Sequence, residues 1–172
     1  MCRVFWAFAA LVLLADAPDV LGQSVDFSSR ELSLGDELQQ AVNSQRRQLG
    51  QPELQSLTNE LEEAQLIYSD AVLGELLRSN ACDHDYRDFT ALQRLIATSP
   101  KSIDLATPTS EVIGCPSSTR GWTPELEVQL WRESPHHNHI LFEEKDHSYI
   151  GCAVKQISGQ TAALCTLWSP AF

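Results

Sequence analysis

The sequence is poor in positive charge. Twelve Lys and Arg face 23 Asp and Glu, the net charge is −11, and no stretch gathers basic residues into a block. Nucleic acid is held chiefly by Lys and Arg that displace counterions, so this balance argues against such a partner. The acidity is expected to serve solubility instead. No C-x-x-C spacing occurs, which counts against a zinc finger or ribbon. After the N-terminal stretch, no apolar run reaches the roughly 20 residues a membrane helix needs. No membrane span is therefore expected in the mature chain, and no C-terminal hydrophobic anchor signal is seen. A nucleophile-elbow pattern is also missing, which weakens a serine hydrolase reading.

What is present begins with a processing segment. Arg3 supplies a positive start, Phe5 to Leu14 is continuously apolar, and Val20-Leu21-Gly22 ends on a small residue. Residues 1–22 are expected to be a secretory signal, cleaved after Gly22 or alternatively after Ala17. Cys2 leaves with it. Cys82, Cys115, Cys152 and Cys165 remain, an even number that fits two disulfides in an exported chain, secreted, extracellular or periplasmic.

Residues 23–33 are polar without periodicity and read as a linker to one domain, 34–172. Leu34, Leu38, Ala41, Val42 and Leu49 share a helical face, with Ser33 as N-cap and Gly50 with Pro52 as the stop. Leu57, Leu61, Ala64, Tyr68, Ala71, Val72 and Leu76 predict a second helix. Thr58 or Ser56 caps it and Ser79-Asn80 ends it. Phe89 to Ala97 reads as a short helix, 99–109 as loop, Glu111 to Gly114 as a strand or a helix start, and Cys115 to Thr119 as loop. Thr123-Pro124-Glu125 opens a third helix, Thr as N-cap and Pro in the first turn, with Leu126, Leu130 and Trp131 as its apolar face. Ser134-Pro135 stops it, because the residue before proline is pushed out of the helical region.

Two alternating segments end the chain. A turn at Ser158-Gly159 sets Cys152 opposite Cys165, Ile150 opposite Leu167 and Val154 opposite Ala163. One face is then wholly apolar and carries both cysteines, and a slip of one residue on either strand would destroy both features. This register predicts a Cys152–Cys165 disulfide and leaves Cys82–Cys115 by elimination. Just before the hairpin lies Trp131-Arg132-Glu133-Ser134-Pro135-His136-His137-Asn138-His139. Its three histidines in four positions are the first place to look for function.

The order of motifs resembles a family. Asn43-x-x-Arg46-x-x-x-Gly50-x-x-x-Leu54 is similar to the opening helix of the CAP superfamily, the cysteine-rich secretory, antigen 5 and pathogenesis-related-1 group (SCP domain). Leu61 to Asp70 with Tyr68-Ser69-x-Ala71 looks like its second helix. Trp131-x-x-Ser134-Pro135-x-His137, then Ile140-Leu141 and Ile150-Gly151-Cys152-Ala153, is similar to the tail of its bacterial branch. The resemblance covers roughly residues 36–168 and implies an α/β fold, an α-β-α sandwich with a mainly antiparallel sheet between helices.

It also implies a cleft of two histidines and two acids. His137 matches the second histidine, with His136 as the alternative. His84, in Cys82-Asp83-His84-Asp85, matches the first. Glu111 stands where the family carries its strand glutamate, and Glu127 or Glu133 is the candidate second acid. Two imidazoles and a carboxylate suit Zn2+ and would leave room for water. The resemblance implies secreted proteins that act by binding a small lipid or a protein partner. Coccidian surface antigens, similar in the Gly-Cys-Ala strand and the terminal Cys strand, imply a surface interaction protein. The expected function is a binding or interaction module with a degenerate His/Glu cleft. The enzyme alternative is a metal-assisted, protease-like hydrolase using the same residues.

Overall fold

The computed structural model describes residues 25–82, Leu92, Ile96 and 106–170. The expected signal segment and His84 lie outside the described residues.

Helix α1 spans Ser29–Gln48, starting well before the expected Ser33 cap. The reason is a capping box. The Glu31 amide donates to the Ser28 hydroxyl, and the Ser28 amide donates back to the Glu31 carboxylate at 2.8 Å. Ser33 is an interior residue whose hydroxyl donates to Glu37. Leu34, Leu38 and Val42 are buried as the periodicity predicts, whereas Leu49 is exposed.

After β1 (Gln55–Ser56), helix α2 runs Asn59–Ser79, with Thr58 as N-cap and a left-handed Asn80 as its end. Leu92 and Ile96 are helical and buried against it. Strand β2 (Ala106–Ser118) is longer than the expected Glu111–Gly114 core. The Pro, Ser and Thr on either side read as loop, but the strand absorbs them at two register shifts, between Pro108 and Ser110 and between Gly114 and Ser117. Helix α3 (Pro124–Glu133) has the expected Thr123 cap, whose hydroxyl accepts from the Leu126 amide. A short helix α4 (Pro135–Asn138) and a π turn (His139–Glu143) follow, so the chain beyond Ser134-Pro135 resumes helical winding instead of opening into loop.

Strands β3 (Tyr149–Ile157) and β4 (Gln160–Pro170) form the hairpin in the predicted register: Cys152 opposite Cys165, Ile150 opposite Leu167, Val154 opposite Ala163. Ser158 and Gly159 both have positive φ (52° and 78°), the type I′ turn whose twist matches its strands. Both expected disulfides, Cys152–Cys165 and Cys82–Cys115, are present. The sheet order is β1-β3-β4-β2; the long strands are antiparallel and β1 is parallel to β3.

Both faces of this sheet are covered. Leu61, Tyr68, Leu73 and Leu76 of α2 pack on the face of Ile113, Ala153, Leu164 and Trp168. Leu34, Leu38 and Val42 of α1, with Val128 and Trp131 of α3, pack on the face of Val112, Ile150, Val154, Cys165 and Leu167. The protein is an α-β-α sandwich. One correction concerns α3: Trp131 is buried as expected, but Leu126 and Leu130 are exposed, and Glu127 with Val128 turn inward.

The Asn-Arg-Gly-Leu motif has a structural explanation. The Asn43 side chain bonds both backbone groups of Leu54 at 2.9 Å, completing backbone pairing that no strand supplies. Gly50 holds φ +70°. Arg46, fully buried, donates to the Pro52 carbonyl at 2.9 Å and to the Leu141 carbonyl of the π turn. Burial pushes its guanidinium below the ordinary arginine value. Arg46→Met would strand the buried Leu141 carbonyl and should cost about 3 kcal/mol. Arg47→Met removes only an exposed ion pair with Glu53 and should cost about 0.5 kcal/mol or less. Urea unfolding of the two variants checks this; equal losses would contradict it.

Candidate functional site

The histidine cluster does not act as one group. His139 lies at the surface with Nδ1 3.2 Å from Glu143, which also accepts from Asn138. His136 is exposed. His137 is half-buried, its ring edge-on to Trp131 at a centroid distance of 6.4 Å and 5.9 Å from the His136 ring. Of the three it is the one seated against the core. Arg46 fixes the turn just beyond it, and that turn packs against β2.

Strand β2 carries Glu111. Its carboxylate is buried and accepts from the Tyr68 hydroxyl at 2.7 Å. Tyr68 comes from α2 and Glu111 from an outer strand of the sheet. Two motif residues 43 positions apart in sequence therefore meet. Glu127 is buried as well, but on the opposite face, beside Val128 and Trp131. It accepts from the Trp122 indole at 2.9 Å. A Cβ at Gly114 would stand 2.2 Å from its carboxylate, so only glycine lets the acid lie on the β2 backbone. The sheet thus separates Glu111 from Glu127. Glu133 is exposed and accepts from Gln129.

No protein-family model matches the chain, and no curated protein matches it in sequence. Among solved structures, an outer surface protein from Borrelia burgdorferi is similar. The TM-score is 0.57 at 18% identity, over 84% of this chain and 96% of that one. At that identity the likeness concerns the fold alone.

Metal chemistry has a limited donor set. Among the described residues, no three His, Cys, Asp or Glu side chains gather as a metal site. Glu111 lies on the α2 face of the sheet with Tyr68, whereas His137 is held against Trp131 of the α1/α3 layer; His84 lies outside the described residues. Two grooves flank α1. One of about 790 Å³ lies between α1 and α3 and is lined by polar side chains such as Gln40, Ser44, Gln129 and Arg132. The other, about 330 Å³, lies between α1 and α2 and mixes apolar walls such as Phe27, Leu57 and Leu66 with the acids Glu31, Asp36 and Glu62. Among the described residues, no helix is long and apolar enough to cross a membrane.

Sequence reasoning missed one histidine altogether. His147 is buried, between Glu144 and Thr109 at 3.0 Å each. It stands alone in Lys145-Asp146-His147-Ser148, with no motif around it. Only the three-dimensional bulge at Thr109 brings a hydroxyl to it.

Glu127 carries a pH signature. Burial raises its carboxyl above the ordinary value, and the Trp122 bond opposes this only in part. A raised acid binds its proton better folded than unfolded. Its ionisation therefore removes stability as pH rises from the unfolded value near 4.5 through the folded one. Glu127→Gln keeps an acceptor for Trp122 and should be at least as stable as the wild type at pH 7. The difference should vanish below pH 4.5. Thermal melts across that range check it; a variant less stable at pH 7 would contradict it.

Proposed function

We propose that this is an exported, divergent CAP-like protein that works as a binding or interaction module, with a cleft built on Glu111, His137 and His84. The observation that carries the reading is the Tyr68–Glu111 bond. It joins the second-helix motif to the strand glutamate, one of the acids that the resemblance places in the cleft. The helical turn of the Ser-Pro-His motif runs directly into the π turn, which packs on the same strand from the face of Val112 and Cys165. Two disulfides and a Borrelia outer surface protein of similar fold support a place outside the cytoplasm, at a surface or in the periplasm. The binding reading stands ahead of hydrolysis because neither candidate second acid joins Glu111: Glu127 lies across the sheet, on the side where His137 meets Trp131, and Glu133 is at the surface. A small lipid would enter the groove between α1 and α2; a protein partner would meet the cleft itself.

Calorimetric titration of the mature protein with Zn2+ tests the shared cleft. His84→Ala and His137→Ala should each weaken zinc uptake about tenfold or more. If neither changes it, the residues share no site. Casein incubated with and without chelator tests the hydrolase alternative, for which the binding reading predicts no cleavage in either arm. A fluorescent sterol that binds would identify the lipid class; a protein that ignores it leaves the protein partner.

A further inference from the structure

Thr109, His147 and Glu144 form a hydrogen-bonded chain near the start of β2 that uses none of the residues assigned to the proposed cleft. Thr109 sits at the first irregularity of β2, between Pro108 and Ser110, and is skipped in the register with β4. A bulge of this kind re-aims a side chain. Here it puts the Thr109 hydroxyl 3.0 Å from His147 Nδ1 while leaving the residue exposed. The His147 side chain is only 2% exposed, and its Nε2 lies 3.0 Å from the Glu144 carboxylate, itself 36% exposed. The loop carrying His147 is fastened to β4 on both sides: the Ser148 amide donates to Trp168, and the Ser169 hydroxyl donates to Asp146. The imidazole is thus held in one orientation by groups on both sides of it.

We propose that Thr109 is a base-activated nucleophile that accepts acyl groups from activated esters in solution. Proton positions decide this. A carboxylate at Nε2 selects the neutral tautomer with hydrogen on Nε2, leaving Nδ1 as a bare acceptor. The Thr109 hydroxyl has one proton and two acceptors within reach, Nδ1 at 3.0 Å and the Leu167 carbonyl at 3.2 Å. Directed to Nδ1, it makes the acid–imidazole–hydroxyl relay that activates an alcohol. Thr109 Oγ bonds the acyl carbon as its proton passes to Nδ1. The bond from the acyl carbon to the leaving oxygen then breaks, and Nδ1 returns the proton to that oxygen. Water attacks the acyl-threonine by the same route and releases the acid. Thr109 is the catalytic nucleophile and His147 the base; Glu144 is a positioning residue. With no preorganised donor assigned to the oxyanion, solvent must solvate it at this exposed residue, which restricts the substrate to esters with good leaving groups.

The test is the full mature chain with p-nitrophenyl acetate, followed by peptide mapping. The expected result is acetyl on Thr109 and p-nitrophenolate release above background. Thr109→Val should lose the adduct and about tenfold or more of the release, and Thr109→Ser should keep both. Glu144→Gln should slow acylation about tenfold, with partial rescue by Glu144→Asp, a pattern that a purely structural brace would not give. Circular dichroism confirms that each variant is folded. No adduct, acetyl on Lys145 instead of Thr109, or unchanged release from Thr109→Val would overturn the proposal.

Discussion

The β3–β4 register is the constraint on which the rest of the molecule depends. Every side chain of a strand changes face if its pairing slips by one. Here both faces are buried, so a slip would misplace two helical layers at once. The odd residues of β3 and the even residues of β4 look toward α2; the alternate set looks toward α1 and α3. A two-residue turn and a covalent bond between Cys152 and Cys165 fix that division, and β2 is then laid along the free side of β4.

The helical layers are tied to this sheet by buried polar groups that reach backbone or a partner side chain. Glu31 caps α1 and accepts from the Gln156 amide at 2.7 Å. Burial alone would raise its carboxyl, but the Ser28 hydroxyl, the Gln156 and Ser28 amides and nearby Lys155 together hold it below the ordinary value. Lys155 pairs with Asp70 of α2, donates to the Asp26 carbonyl at 2.7 Å and lies over the Phe27 ring. These contacts bind α1, α2 and β3 at one edge. Arg46 does the same for α1 and the π turn at the other end. The segment after His137 is thus positioned by a side chain 95 residues away in sequence.

Much of this was legible in the sequence because it rests on local period or on pairing arithmetic. The hairpin, both disulfides, α2 with its Asn80 stop and the Thr123-Pro124 helix start all follow from residue patterns. What was not legible came from tertiary competition. The capping box at Ser28 and Glu31 outranks the polar composition of that stretch, which suggested linker. β2 extends through Pro108 and Pro116 because bulges accommodate residues that read as breakers. Helix α3 is rotated so that Leu126 and Leu130 face outward, because Glu127 finds Trp122 and the bare backbone of Gly114 inside. For the candidate site, Glu111 and His137 were proposed through resemblance, and the sequence could not show Tyr68 as the partner of Glu111. His147 carried no signal, since its partners meet only across the sheet edge.

The most direct measurement is a non-reducing peptide map of the native protein by mass spectrometry. The register described here predicts that Cys152 is linked to Cys165 and Cys82 to Cys115. A peptide joining Cys152 or Cys165 to either of the other two cysteines would contradict it. The strand faces, the two-layer packing and the placement of Glu111 beside Tyr68 would then fall together.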